Sequence, residues 1–199
     1  MENSDFLSYF NKETRLFVLE ASVTMEDRMS WLLGVLLQID PEQSKSFGSK
    51  SESLSFNQKV GLVQDIHGEN ELDRSKLQLL MEIRNKFAHV LKIRSFRALF
   101  DFSNDTAAIE KRLNKIYPSE KASESDFENF YKAKFLRLVL EISTSIAMSA
   151  IKAAAISAKS ETQKESREAL LEELKEELSK LEGGDVAMNR AIEKVRKKF

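Results

Sequence analysis

Residues 77–89, LQLLMEIRNKFAH, decide how this chain is read. Leu77, Leu79, Leu80, Met81 and Ile83 form an apolar run, the mark of a helix that buries one side in a core. The run leads directly into Arg84-Asn85-Lys86-Phe87-Ala88-His89. Arginine is a permanent cation whose planar fork suits phosphate oxygens, and histidine can give or take a proton near neutral pH. Arg84 and His89 are thus the candidate chemistry of the chain: two side chains that can act on RNA without a metal.

On the N-terminal side, Asp73 is placed to cap this helix by accepting bonds from its free amide hydrogens. His67-Gly68-Glu69-Asn70 reads as the terminus of a short helix over residues 56–66, with His67 as a helix-end residue. Residues 43–53, rich in Ser and Lys and carrying Gly48, read as a loop. Residues 14–39 fit one long helix stopped by Asp40-Pro41, because proline disfavours helix in the residue before it. Its expected apolar face is Leu16, Leu19, Val23 and Trp31. On the C-terminal side, Asn104 or Asp105 can cap a short helix that runs to Ile116 and stops near Tyr117-Pro118. Ser125 with Glu128 fits a capping box that opens a long helix toward Ala158. Its small residues Ala147, Ala150, Ala154 and Ala155 would let a neighbouring backbone approach closely. Trp31, Phe96, Phe100 and Phe102 read as core rather than as platforms for stacked bases.

Six glycines, two prolines and no convincing strand alternation make the chain all-α. Its character changes after the polar stretch 159–166. Leu171, Leu174, Leu178 and Leu181 follow 3-4-3 spacing on a Glu- and Lys-rich helix, Gly183-Gly184 breaks it, and Met188, Ile192, Val195 and Phe199 resume with 4-3-4 spacing. The expected organisation is a helical bundle over residues 1–158 and a C-terminal helical hairpin over 159–199. With about two heptads per arm the hairpin is too short to stand alone, so it must pack on itself, on the bundle or on another subunit, and residues 165–199 are a candidate surface for a subunit or protein partner, the reading preferred over packing in cis.

Charge is balanced, 31 basic against 32 acidic residues, so no global field draws the molecule to nucleic acid or membrane. Attraction must be local. From Arg84 to Arg97 the chain carries Lys86, Lys92 and Arg94 as well, with no carboxylate until Asp101, a local charge of about +5 that would attract a phosphate backbone. The chain has no cysteine and only two histidines, which removes disulfides, thiolate nucleophiles and cysteine-ligated zinc, and makes a histidine-rich metal site improbable. No metal and no cofactor are expected. The acidic, polar residues 1–5 lack the basic start and apolar stretch of a secretory signal, and Arg137, Glu141 and Lys152 interrupt the most apolar segment, 135–158. A cytoplasmic chain with no membrane contact is expected, and 135–158 is expected to be a buried core helix.

R-N-x-x-x-H at the end of a core helix resembles the signature of HEPN domains, all-helical modules found in many ribonuclease toxins and phage-defence proteins. The order of residues 20–37, then Ser53-Leu54-Ser55-Phe56 leading into 59–66, then 77–89, resembles the mannitol operon repressor (MltR-like) family, which shares a HEPN-like bundle. With the later helix around 130–150, the likeness covers most of residues 14–158. It implies a dimeric, metal-independent endoribonuclease. Arg84 would hold the phosphate, Asn85 orient the imidazole or substrate, and His89 transfer a proton, while Lys86, Lys92, Arg94 and Arg97 would contact RNA. The alternative it implies is a non-catalytic transcriptional regulator or interaction scaffold. No helix-turn-helix reader is evident, so direct base-pair recognition is not expected. For Arg84 the purely structural alternative is a buried pair with Glu20, Glu26 or Glu82.

Overall fold

The structure is a computed structural model that describes residues 12–47, 53–67, 72–118 and 124–179. The described residues form helices and no strands: α1 (Thr14–Leu37), α2 (Phe56–His67), α3 (Arg74–His89), α4 (Phe96–Phe100), α5 (Asn104–Ile116) and α6 (Phe127–Ser179), the last preceded by a single 3-10 turn at Glu124–Asp126. The chain divides into two compact units, Met1–Lys152 and Ala153–Phe199. α6 is continuous through that division and through the polar stretch 159–166, where the sequence suggests a change of element. No glycine or proline lies between Pro118 and Gly183, and Ala, Glu, Lys and Leu dominate its second half, so nothing locally stops a helix of 53 residues. The second hairpin arm, 185–199, and the Gly183-Gly184 break lie outside the described residues.

In the first unit, α1 packs against α2 and α3, α3 against α5, and α4 against α5. The core runs through Phe17, Met25, Met29 and Leu32 of α1, Leu77, Leu80, Ile83 and Phe87 of α3, and Phe135, Leu138, Ile142 and Ile146 of α6. Phe96 sits at its centre, fully buried, with Phe87 edge-on at 5.5 Å and Phe100, Tyr131 and Phe135 within 6.1 Å. Edge-to-face and tilted pairs at such distances add to what area burial alone gives.

α1 does not use the expected face. Leu16, Val23 and Trp31 are exposed, Trp31 at 49%, and the helix buries Phe17, Val18, Ala21, Met25, Met29, Leu32 and Leu33. Only Leu19 of the expected set packs against the core, as a partly buried residue. α1 is apolar on both sides, and the side richer in large residues is the one covered. The helix ends at Leu37, two residues before the expected Ile39. Gln38 takes a left-handed φ of 54° while the Ile39 amide donates back to the Gly34 carbonyl at 2.9 Å, a Schellman-type close. Gly34 is required there, since a Cβ would lie 2.8 Å from the Ile39 carbonyl oxygen and from Pro41 Cδ.

α6 also departs from a simple buried core helix. Its inner stripe is buried, but Leu140, Met148, Ile151 and Ile156 are exposed, Ile151 at 61%. By length and composition alone it is the one described helix apolar enough to cross a membrane. Among the aromatics assigned to the core, Phe96 and Phe100 are buried and Phe102 is exposed.

α4, only five residues long, is held from a distance. Ser95 caps it locally through the Ala98 amide. The Glu128 carboxylate of α6 accepts from the Phe96 amide at 3.0 Å and the Arg97 amide at 2.9 Å, and also from the Thr14 hydroxyl at 3.2 Å. Glu128 thus supplies acceptors to a neighbouring helix start, where the capping-box pattern has it serving its own. Ser103, rather than Asn104 or Asp105, caps α5, in a reciprocal box with Thr106.

Candidate functional site

Asp73 starts α3 as its sequence position suggests, accepting from the Ser75 and Lys76 amides. Because a helix turns about 100° per residue, burying Leu80, Ile83 and Phe87 turns Asn85 and His89 outward and leaves Met81, Arg84 and Ala88 half-buried at the edge of the packed face. Arg84 and Asn85 reach one cleft; His89 lies about one turn further along, exposed and at the last helical position. Arg84 Nη1 donates to Asn85 Oδ1 at 3.1 Å. On an ideal helix Arg84 and His89 stand about 140° apart, with Asn85 only about 40° from His89. The bond to Asn85 therefore draws the guanidinium round toward the histidine's side.

The cleft has a volume of ≈ 150 Å³ and is lined by Glu26 of α1, Ser55, Phe56 and Asn57 at the start of α2, and Met81, Arg84 and Asn85 of α3. The α2 start is set by a half capping box, in which Gln58 Oε1 accepts from the Ser55 amide and hydroxyl, both at 2.9 Å. Glu26 faces Lys59 Nζ at 3.4 Å, and the Lys59 side chain is only 3% exposed.

The three carboxylates that could have paired with Arg84 are placed otherwise. Glu20 binds Lys12, Glu82 binds Arg112 at 2.5 Å, and Glu26 lines the cleft but has Lys59 as its ion-pair partner. Among the described residues Arg84 makes no ion pair, and neither do Lys86, Lys92 or Arg94. Lys92 and Arg94 are exposed and Lys86 is half-buried. Arg97 is committed differently from the other four cations, 2.6 Å from Glu124 and stacked 3.8 Å from the centre of the Phe127 ring. Close by, the helix end is closed by Arg15, which donates to the carbonyls of Ala88 at 3.3 Å and Leu91 at 3.4 Å.

The strongest electrostatic perturbations lie away from this surface. Glu141 accepts from Lys76 at 3.1 Å, from the Tyr117 hydroxyl at 2.9 Å and from Arg137 at 3.0 Å. Burial works to raise the Glu141 carboxyl, but these three donors outweigh it and hold it below the ordinary carboxylate value. Burial and the same hydrogen bond push the Tyr117 phenol well above its ordinary value. Around Tyr131, burial and a 2.6 Å bond to Glu110 push the phenol up to about 12. Lys134, donating to Asn114 at 2.6 Å, is lowered by burial against the pull of Glu110. Both groups close on themselves, and keep their tyrosines neutral at ordinary pH.

Sequence reasoning placed Arg84, Asn85 and His89 correctly on one helix end, and missed Ser55, Phe56, Asn57 and Met81 as neighbours of the arginine. The S-x-x-Q spacing at Ser55–Gln58 was the available signal, since it marks a helix start. Among the described residues no three His, Asp or Glu side chains come together as metal ligands would. Comparison of the chain with family models, with curated proteins and with solved structures finds no match.

Proposed function

We propose that this chain is a metal-independent endoribonuclease of HEPN type, with an MltR-like bundle, acting on RNA through Arg84, Asn85 and His89. The observation that carries the reading is that Arg84 is half-buried, makes no ion pair among the described residues and bonds instead to Asn85, on the helix that ends at an exposed His89. A structural arginine would spend its charge on a carboxylate; Glu20 and Glu82 pair with other cations, and Glu26, though it lines the same cleft, has Lys59 as its ion-pair partner.

In the proposed reaction the RNA 2'-hydroxyl loses its proton and its oxygen attacks the adjacent phosphorus. The bond to the 5'-oxygen breaks, and that oxygen leaves as it gains a proton. The products are a 2',3'-cyclic phosphate and a 5'-hydroxyl. Arg84 neutralises charge on the crowded phosphate, and His89 carries one proton transfer. One imidazole cannot be base and acid in a single concerted step, so a second copy of the chain supplies the other, and the active species is a homodimer. Lys86, Lys92 and Arg94, unpaired among the described residues, draw in the backbone.

The test is cleavage of a labelled mixed-sequence RNA in chelator by wild type, His89→Ala and Arg84→Ala, with product ends mapped. Chelator-resistant cleavage lost in both variants supports the proposal. A folded wild type that cleaves none of several RNAs overturns it. The exposed apolar positions of α6, Leu140, Met148, Ile151, Ile156 and Leu170, favour a second reading as a non-catalytic regulator that captures a protein partner, with residues 165–199 contributing. Capture of the same partners by a chain lacking 165–199 removes that contribution.

A further inference from the structure

The cleft beside Arg84 has a lining that selects among ligands. It holds one guanidinium and one carboxylate, Arg84 and Glu26, so a free anion attracted by the first is opposed by the second. Its remaining polar groups are the amides of Asn57 and Asn85 and the hydroxyl of Ser55, and its apolar surface is Phe56 and Met81. This combination suits a neutral, flat ligand with a donor edge, an acceptor edge and an apolar face. Nucleobases have that character, and single-stranded RNA offers them unstacked. Size narrows the choice: at ≈ 150 Å³ the cleft matches the roughly 150 Å³ cavity that a benzene-sized ring fills, room for one ring and not two fused ones.

We propose that this cleft seats one pyrimidine of single-stranded RNA, cytosine by preference, next to the phosphate held by Arg84. The inference rests on the RNA reading above and adds base selection to it. Glu26 has one carboxylate oxygen toward Lys59 and accepts the exocyclic amine of cytosine with the other. Asn85 Oδ1 is occupied by Arg84, which turns the Asn85 amino group out as a donor to the ring carbonyl. Phe56 and Met81 cover the ring face. Uracil would place a carbonyl where cytosine has its amine, leaving two acceptors opposed at Glu26, and this is what separates the two bases.

The deciding experiment is fluorescence anisotropy with labelled 2'-O-methyl hexamers of cytidine, uridine and adenosine, which cannot be cleaved, bound to the full chain in chelator at one fixed salt concentration. Hexacytidylate should bind roughly tenfold or more tighter than hexauridylate. In Glu26→Gln the preference should collapse, because an amide can donate to the uracil carbonyl. Since that substitution also removes the partner of buried Lys59, a second readout avoids dependence on its fold. In wild type the Met81 methyl resonance, assigned with Met81→Leu, should shift on adding hexacytidylate and not with hexauridylate at the same concentration. Equal binding of all three hexamers without a Met81 shift overturns the base site and leaves the RNA reading standing. Preference for hexaadenylate overturns the single-ring assignment, and no binding of any hexamer overturns both.

Discussion

The neighbourhood of α4 and the outer face of α3 are adjacent in sequence and treat polar groups in opposite ways. Around α4 the polar groups meet partners inside the fold. Glu128 takes two amides and a hydroxyl, Ser95 takes a third amide, and Arg97 is held by Glu124 and the Phe127 ring. On α3 and in the turn that follows it, Arg84 has only its neighbour Asn85, and Lys86, Lys92 and Arg94 make no ion pair among the described residues. Side chains of the same types hold the structure in the first region and make no ion pair among the described residues in the second. The difference separates an arginine whose loss should be read in stability from one whose loss tests the proposed activity.

The comparison breaks most visibly at its core. Phe96→Ala should cost about 4 kcal/mol in urea unfolding, because a fully buried ring with four aromatic neighbours leaves a cavity. Glu128→Ala should cost roughly 2–3 kcal/mol in the same measurement, by stranding the Phe96 and Arg97 amides. A cost below about 0.5 kcal/mol would show that water replaces the carboxylate, and the contrast between the regions would weaken.

A smaller effect is expected from pH. Glu141 is held below its ordinary value of 4.5, so its stabilising pairing is present above that value in the unfolded chain and is lost as pH falls through the lower folded value. Lys76 is raised above 10.5, so its share is present below that value and is lost as pH rises through the higher folded one. With the Glu141 side chain a third exposed, the acid limb should be worth less than about 1 kcal/mol. Glu141→Gln should flatten the stability profile below about pH 4.5. An unchanged acid limb would assign it to other carboxylates.

The smallest effect on stability should come from the α3 surface. Arg84→Ala and His89→Ala should each stay within about 0.5 kcal/mol of wild type, while RNA cleavage falls by roughly a hundredfold or more. If Arg84→Ala instead costs as much as Glu128→Ala, the guanidinium belongs to the fold and the two regions are alike.

What could be read beforehand follows from distance along the chain. α3 and its Asp73 cap were legible because periodicity and caps are local. The burial of α1 was misread at Leu16, Val23 and Trp31 because that helix is apolar on both sides, and only the packing of α2, α3 and α6 decides which side is covered. Glu128 looked like a local cap, since its service to α4 depends on tertiary placement 31 and 32 residues away. The motif was visible as a hexapeptide. The cleft beside it was not, because Glu26 and Phe56 reach Arg84 only through the packing of three helices.

Glu128 also sets a timetable. The hydroxyl of Thr14 and the carboxylate it meets are 114 residues apart, and Lys132 binds the Lys12 carbonyl across 120. At a synthesis rate of about 5–20 residues per second, α1 leaves the ribosome roughly 6–23 s before its seal exists. During that interval Phe17 lacks Phe135, its ring partner at 5.7 Å, and the segment that becomes α4 has no carboxylate to close it. α1 is therefore made before its partners and finished only with them, and a nascent chain carries the Arg84–His89 segment before the scaffold that rigidifies it.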